Sequence, residues 1–388
     1  MNRLAIAAFV AAVVLYFLSL YIYMPILPAF VAGRSLHLAD VGVVLSMYGL
    51  WTAILRMPTG ITADLTGRNR PFLVAGTLLG AAGAGLMVAG GSLGTLLAGR
   101  ALTGAAAAAW VPMMVVFAAY FPPRQAIFAA SFLSLASSLG QIMGTLTTGL
   151  VESKAGPTGP FIVAIAASIA AAAIFAFVRL PPKKTERSDT LSPSSILAVF
   201  RRRDVLVPAL VNALCQFAVW ALTFSFMPLL AHRMGANAGQ AGLIMTLNIG
   251  SNLAANLFAT LRADTGHRRL MLYGSFGTFA LGAILAALGP NLGYLYTSTI
   301  LMGLANGLLF PILVGLSIQY VDGSRRATAM GIHQSVYAIG MFTGPWAAGL
   351  IADALGIRPM FAIMAAISFV GPGALILLYS PPRVPSRT

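Results

Sequence analysis

Two ionisable side chains sit deep inside long apolar stretches: Arg100, in Leu96-Leu97-Ala98-Gly99-Arg100-Ala101-Leu102-Thr103-Gly104, and His333, in Ala329-Met330-Gly331-Ile332-His333-Gln334-Ser335. Burying a guanidinium is costly, so an arginine kept there signals either a bound anionic group or a structural bond to backbone carbonyls. An imidazole titrates near neutrality, so His333 is a candidate carrier of a coupling proton or a neutral strut between helices. Polar side chains recur around them at helical spacing. Asn212, Gln216, Trp220 and Thr223 form one stripe, and Asn248, Asn252 and Asn256 a second. Ser131, Ser134, Ser138 and Gln141 form a third, and Tyr337 follows His333 by one turn. Tyr16, Trp51, Trp110 and Asn306 are candidates to join them. Any single one serves equally well as glue between helices. Together they describe a polar, partly aromatic cavity suited to a neutral or anionic amphipathic solute. The nine acids, Asp40, Asp64, Glu152, Glu186, Asp189, Asp204, Asp264, Asp322 and Asp353, all fall at or beyond the ends of the apolar stretches. Such a cavity suits a dication poorly.

The elements that must hold these groups follow from composition. The chain has 388 residues, 59% hydrophobic and 9% charged, against about 25% charged in globular proteins. Twelve apolar stretches of spanning length cover roughly 4–30, 39–62, 71–91, 93–118, 124–152, 158–180, 205–232, 238–262, 270–289, 292–318, 326–353 and 358–379. In hydrocarbon each backbone N–H and C=O must be paired internally, so these are helices. The predicted class is an all-α integral membrane protein. The first stretch, Leu4 to Met24, is too long for a signal-peptide core and is read as a span. Cys215 is alone, which excludes an intrachain disulfide. The net charge of +15 raises the question of nucleic acid, but its placement answers otherwise. With the N-terminus in the cytoplasm, eighteen of the 24 basic residues fall on cytoplasmic loops and tails, and four on outer loops. That is the positive-inside pattern; both termini are expected in the cytoplasm, and no nucleic-acid partner is expected.

Residues 181–204 form the one long polar stretch and divide six spans from six. The expected organisation is a six-helix bundle over 1–180, a cytoplasmic linker over 181–204 and a second bundle over 205–388. The halves align at an offset of 200: Gly42 with Gly242, Asp64 with Asp264, Arg68 with Arg268, and Gly140, Gly144 and Gly149 with Gly340, Gly344 and Gly349. Parallel repeats of this kind place a site between the halves near the midplane and move by rocking. The glycines read first as close helix packing.

Gly60-Ile61-Thr62-Ala63-Asp64-Leu65-Thr66-Gly67-Arg68-Asn69-Arg70, between the second and third spans, resembles the cytoplasmic loop motif of the major facilitator superfamily, with Arg56-Met57-Pro58 just before it. Leu65 stands where that motif has a basic residue. The resemblance extends over nearly the whole chain. It implies twelve helices in two repeats and a secondary transporter working by alternating access. Gly60, Asp64, Gly67, Arg68, Arg70 and Arg56, with the thinner copy at Asp264 and Arg268, would then latch the halves on the cytoplasmic side. Arg100 and Gly104 match the family's Arg-then-Gly pattern in the fourth span. The fifth-span signature of drug antiporters is degraded here, with Thr145 in place of Pro, while Gly344-Pro345 in the eleventh span is closer to it. The expected substrate-binding or coupling set is Arg100, His333, Asn212, Gln216, Trp220, Asn248, Asn252, Gln141, Tyr337 and Asn306; the gating set adds Gly344 and Pro345. Three functions remain open. The leading one is export of a small organic molecule in exchange for protons. The second is import or uniport of a small organic anion held by Arg100, and the third a non-transporting receptor or scaffold. No enzyme motif is present. No cofactor is expected, and no metal, the 17 Met being scattered as packing residues are. The protein is expected as a monomer in the inner membrane, its partners a small solute, lipid and, as candidate coupling ion, the proton.

Overall fold

The computed structural model describes residues 3–181, 198–261, 268–319, 321 and 326–377. The described residues are helical and contain no strand. In the first half the helices are α1 (Arg3–Tyr21), α2 (Leu27–Ala32), α3 (Leu38–Thr66), α4 (Asn69–Ala89), α5 (Leu93–Ala107), α6 (Trp110–Ala118), α7 (Ala126–Ala155) and α8 (Gly159–Phe177). The second half holds α9 (Arg203–Val219), a π-helical turn over Trp220–Phe226, α10 (Met227–Arg233), α11 (Ala238–Leu261), α12 (Arg268–Leu288), α13 (Leu292–Gln319), α14 (Arg326–Leu355) and α15 (Ile357–Leu377). Among the described residues, eleven segments are long and apolar enough to cross a membrane. α11 falls short of that apolarity because it carries Asn248, Asn252 and Asn256.

Three spans are broken, each beside a proline. The first passes from α1 through turns at Pro25 into α2, with Pro28 at its start. The fourth breaks between α5 and α6, just before Pro112, and the seventh widens into the π turn before Pro228. Proline removes an N–H and crowds the carbonyl one turn back, so the ladder must yield there. Loose helical turns of this kind concentrate at functional sites. Pro28 and Pro228 are separated by the repeat offset, so the breaks in the first and seventh spans are part of the repeat.

Each half packs mainly on itself. α1 lies against α7 and α8, α4 against α5 and α8, and α3 against α5. In the second half α9 lies against α13, α14 and α15, and α13 against α11 and α12. Two seams join the halves: α3 with α14, and α7 with α11. Let the linker face be the one where α8 ends and α9 begins, and the far face the other. The seams close where the backbones touch, near the far face. A Cβ on Gly349 would stand 2.8 Å from Gly42 Cα, and one on Gly149 or Gly242 would strike the opposite backbone. The hydroxyls of Thr145 and Thr246 meet across the second seam at 2.8 Å. Every residue from Ser19 to Pro28, and from Ala218 to Ala231, is buried, whereas the linker-face end of α1 is partly exposed. The molecule is sealed at its far face.

Candidate functional site

Arg100 lies seven residues into α5, about 10 Å deep at 1.5 Å per residue. It is 1% exposed, and its guanidinium carbon sits 4.5 Å from the centre of the Tyr48 ring on α3. Gly104, one turn further on, brings α5 against the α3 backbone, where a Cβ would stand 2.6 Å from the Tyr48 carbonyl. Nε and Nη1 of Arg100 are buried with no hydrogen-bond partner. Among the described residues the ion pairs are His37–Asp353 and Arg202–Asp204, both at helix ends. Among the described residues no carboxylate pairs with Arg100; the Tyr48 ring face lies against its charge and the Tyr23 hydroxyl is beside it. A cation–π contact is worth about 2 kcal/mol when desolvated, far less than an uncompensated buried ion costs.

From the Tyr48 ring a chain of aromatic contacts runs across both halves. Tyr48 stacks on Trp220 of the π turn at 5.0 Å and 20°. Trp220 leans on Phe224 at 4.9 Å, and Phe224 meets Tyr21 edge-on at 6.2 Å. The π turn is what aims Trp220 and Phe224 toward the first half. Nearer the linker face, Arg56 of α3 donates through Nη1 to the Tyr337 hydroxyl on α14 and lies 5.7 Å from its ring centre. Arg56 Nε is also buried without a partner. Gln216 donates to Asn306 Oδ1 at 3.3 Å, and Gln141 and Asn252 are half-buried.

Other predicted residues are placed differently. His333 is 0% exposed, and both ring nitrogens are engaged inside the second half: Nε2 with Asn212 Nδ2 at 2.8 Å, Nδ1 with Ser317 Oγ at 2.7 Å. The ring thus links α9, α13 and α14. Asn248 donates to the Thr299 carbonyl at 2.9 Å and fixes α11 to α13. Tyr16 donates to the Ala106 carbonyl at 2.6 Å, and Trp110 packs on Phe17. Trp51 is exposed and does not join the cluster. Tyr48 was missed by sequence reasoning, although Tyr48, Thr52 and Arg56 are spaced by four and share a helix face. A groove of 490 Å³ between α11, α12 and α13, lined by Phe258, Met271, Ser275 and Leu308, shares no lining residue with the cluster.

The motif residues divide likewise. Gly67 caps α3 in the left-handed region at φ 66°, its N–H bonding the Ala63 carbonyl at 3.1 Å, which demands glycine. Arg70 donates to the Val178 carbonyl at 2.8 Å, within the first half. Arg68 is exposed, and Gly60 faces Val111 of α6. Gly344 packs on the Phe217 backbone of its own half, whereas the Pro345 carbonyl abuts Gly42 across the seam. The side chains of Asp64 and Arg268, and all of Asp264, lie outside the described residues.

The family model of the Major Facilitator Superfamily matches residues 9–238 and 209–388. The chain belongs to the major facilitator superfamily. As a member it is a multi-pass membrane transporter. Over 185 residues it is 28% identical to the multidrug resistance protein MdtG of Citrobacter koseri, a stretch covering 46% of this chain and 45% of that relative. The match thus spans less than half of that relative's length. Its fold is that of a mutant form of the nucleoside transporter NupG (TM-score 0.80, 15% identity, 96% of this chain and 100% of that one). It is also that of a bacterial homologue of the human lysosomal transporter Spinster in an inward-facing, unoccupied conformation (TM-score 0.80, 15% identity, 98% and 100%).

Proposed function

We propose that this major facilitator superfamily member exports a small organic anion with an aromatic or otherwise apolar body, binding its acidic group at Arg100. One observation carries the reading: two buried donors of Arg100 have no partner. A carboxylate or sulfonate can accept from Nε or from Nη1, with Nη2 as the second donor of either fork, and Arg is the side chain suited to such pairing. Tyr48, Trp220, Phe224 and Tyr337 offer flat surfaces for the rest of the solute. Gln216, Asn306, Gln141 and Asn252 supply hydrogen bonds at its edges. Arg100 is almost wholly covered, so the Tyr48 ring moves aside as the acid group arrives. The direction is supported by the likeness to a multidrug resistance protein. The enclosed state of His333 favours a structural role for it; proton exchange, if it drives export, runs through other groups. We further place the linker and both termini in the cytoplasm, on the eighteen-to-four division of basic residues. On that topology the far face is the outer one and the protein, a monomer in the inner membrane, is closed outward here. The rocking bodies are residues 1–180 and 205–388. The test is uptake of radiolabelled aromatic carboxylates into proteoliposomes, with amines of the same ring as controls. Saturable uptake of acids, lost in Arg100→Gln, supports the reading; uptake of amines that ignores Arg100 overturns it.

A further inference from the structure

The far ends of the two halves are joined by a contact that no motif residue supplies. α3 starts at Leu38, and its N-cap, His37, has extended backbone (φ −109°, ψ 132°) and offers no side chain to the helix. The first N–H groups of a helix lack intrahelical partners and are usually met by a nearby Ser, Thr, Asp or Asn. Here the acceptor comes from the other half. Leu38 N–H donates to Asp353 Oδ1 at 2.8 Å, and Asp353 Oδ2 lies 3.3 Å from His37 Nδ1. Asp353 stands two residues before the end of α14 and four after Gly349, the residue that touches Gly42. The other charged groups nearby are engaged elsewhere. Asp40, in the first turn of α3, accepts from Ser35 Oγ, and Arg34 donates to the Phe30 carbonyl while lying over the Phe30 ring. A carboxylate at a helix N-terminus also gains from the positive end of the helix dipole.

We propose that Asp353 is a gating residue of the transport cycle: it caps α3 across the seam while the far face is closed, and must release it when that face opens. α3 and α14 belong to different halves, so rocking separates Asp353 from both its partners. Their loss is a cost carried by the far-open state alone, and Asp353 thereby sets the balance between the two states, whatever the solute.

The experiment measures that balance with spin labels at Gly91→Cys and Pro290→Cys, in a Cys215→Ser background, reconstituted in nanodiscs. Both sites are exposed far-face loop positions of opposite halves, and a Cβ at Gly91 meets nothing within 4 Å. Leu38→Pro deletes the donor N–H and is tolerated by the backbone, because proline suits the first helical position and His37 is already extended; Leu38→Ala, which keeps the N–H, controls for the loss of the partly buried Leu38 side chain packed on the core. Leu38→Pro is expected to raise the long-distance, far-open fraction about fivefold, the usual worth of an N-cap. His37→Ala removes only the exposed imidazole–carboxylate contact, for a shift of about twofold. Asp353→Ala removes both, for about tenfold if the two add. Asp353→Asn keeps an acceptor and is expected to resemble His37→Ala. An Asp353→Ala variant with the wild-type distance distribution overturns the proposal. So does a Leu38→Pro variant that folds and shifts nothing, which also decides the matter should Asp353→Ala fold poorly. A purely structural Asp353 would lower yield and melting temperature without moving the ratio of short to long distances.

Discussion

Replacing Arg100 separates a binding residue from a structural one, because the two roles predict opposite signs for stability. With Nε and Nη1 both unpartnered, an acidic solute gains up to two charge-assisted hydrogen bonds, worth about 1.5–3 kcal/mol each. Arg100→Gln should therefore weaken binding by about 3–6 kcal/mol, roughly a hundredfold to ten-thousandfold in Kd. Arg100→Lys keeps the charge and loses the planar fork, for roughly tenfold to a hundredfold. Arg100→Met places an apolar chain of similar length where a buried ion now has no carboxylate partner, and removal of a poorly compensated buried charge gains about 1–4 kcal/mol. The solute-free Arg100→Met protein should melt above wild type while binding no aromatic carboxylate. The assay is intrinsic-fluorescence melting of purified protein, with and without millimolar benzoate- and naphthoate-class acids, beside direct binding by equilibrium dialysis. A structural arginine would give the reverse pattern, with a lowered melting temperature and acid binding intact. That reverse pattern refutes the reasoning from unpartnered donors.

Other consequences are as direct. Gly349→Ala puts a Cβ 2.8 Å from Gly42 Cα; overpacking costs about 1–3 kcal/mol, so the far-closed state should lose about tenfold in population, read by the same pair of far-face spin labels. His333→Gln should lower stability by about 1–3 kcal/mol through two buried bonds and leave the pH profile of transport between about pH 5 and 8 unchanged; a flattened profile with normal stability would restore His333 as proton carrier. Arg187→Cys in a Cys215→Ser background should react with an impermeant maleimide only after cells are permeabilised, and labelling of intact cells would reverse the topology.

The spans and their repeat were legible because the bilayer constrains them so strongly. A stretch such as Gly159–Phe177 has no alternative to a helix. The depth of Arg100 was legible for the same reason, since counting residues along a helix is counting distance. The rotation of each helix about its axis was not. Lipid is as apolar as the core of a bundle, so a membrane helix carries little of the one-sided pattern that orients a soluble one. Tyr48 and Trp51 sit three residues apart on α3; one lies under Arg100 and the other is exposed. The polar stripes gave partial phase. In the structure Gln216 bonds Asn306 and His333 meets Asn212, but a stripe of amides marks contact with protein or water alike. Which of the two it marks depends on the neighbouring helix. His333 shows this: its partner Ser317 lies on α13, outside every stripe.

The far-face closure was beyond sequence reading for a different reason. The basic loop between α3 and α4 drew the gating argument to the linker face, because charged motifs are visible in a list of residues. In the sealed structure Arg70 is spent on Val178 within its own half, and Arg68 is exposed. The contacts that hold the far face shut are mostly absences: glycines without a Cβ at 42, 149, 239, 242 and 349, and an N-cap without a side-chain acceptor at His37. An absence becomes a contact only once the opposite helix is in place to fill it. Gly42 and Gly242 sit at the same repeat position, as do Gly149 and Gly349, and the pairs formed are crossed: Gly42 meets Gly349, and Gly149 meets the start of α11. That crossing is what a two-fold relation between the halves requires. It gives both seams the same kind of glycine-to-backbone contact. The carboxylate of Asp353 breaks the equivalence, since its repeat counterpart on α7 is Ser153, whose hydroxyl donates within its own helix to the Leu150 carbonyl. One seam therefore carries a charged clasp and the other does not, and separation of the far face meets its added resistance at the α3–α14 side.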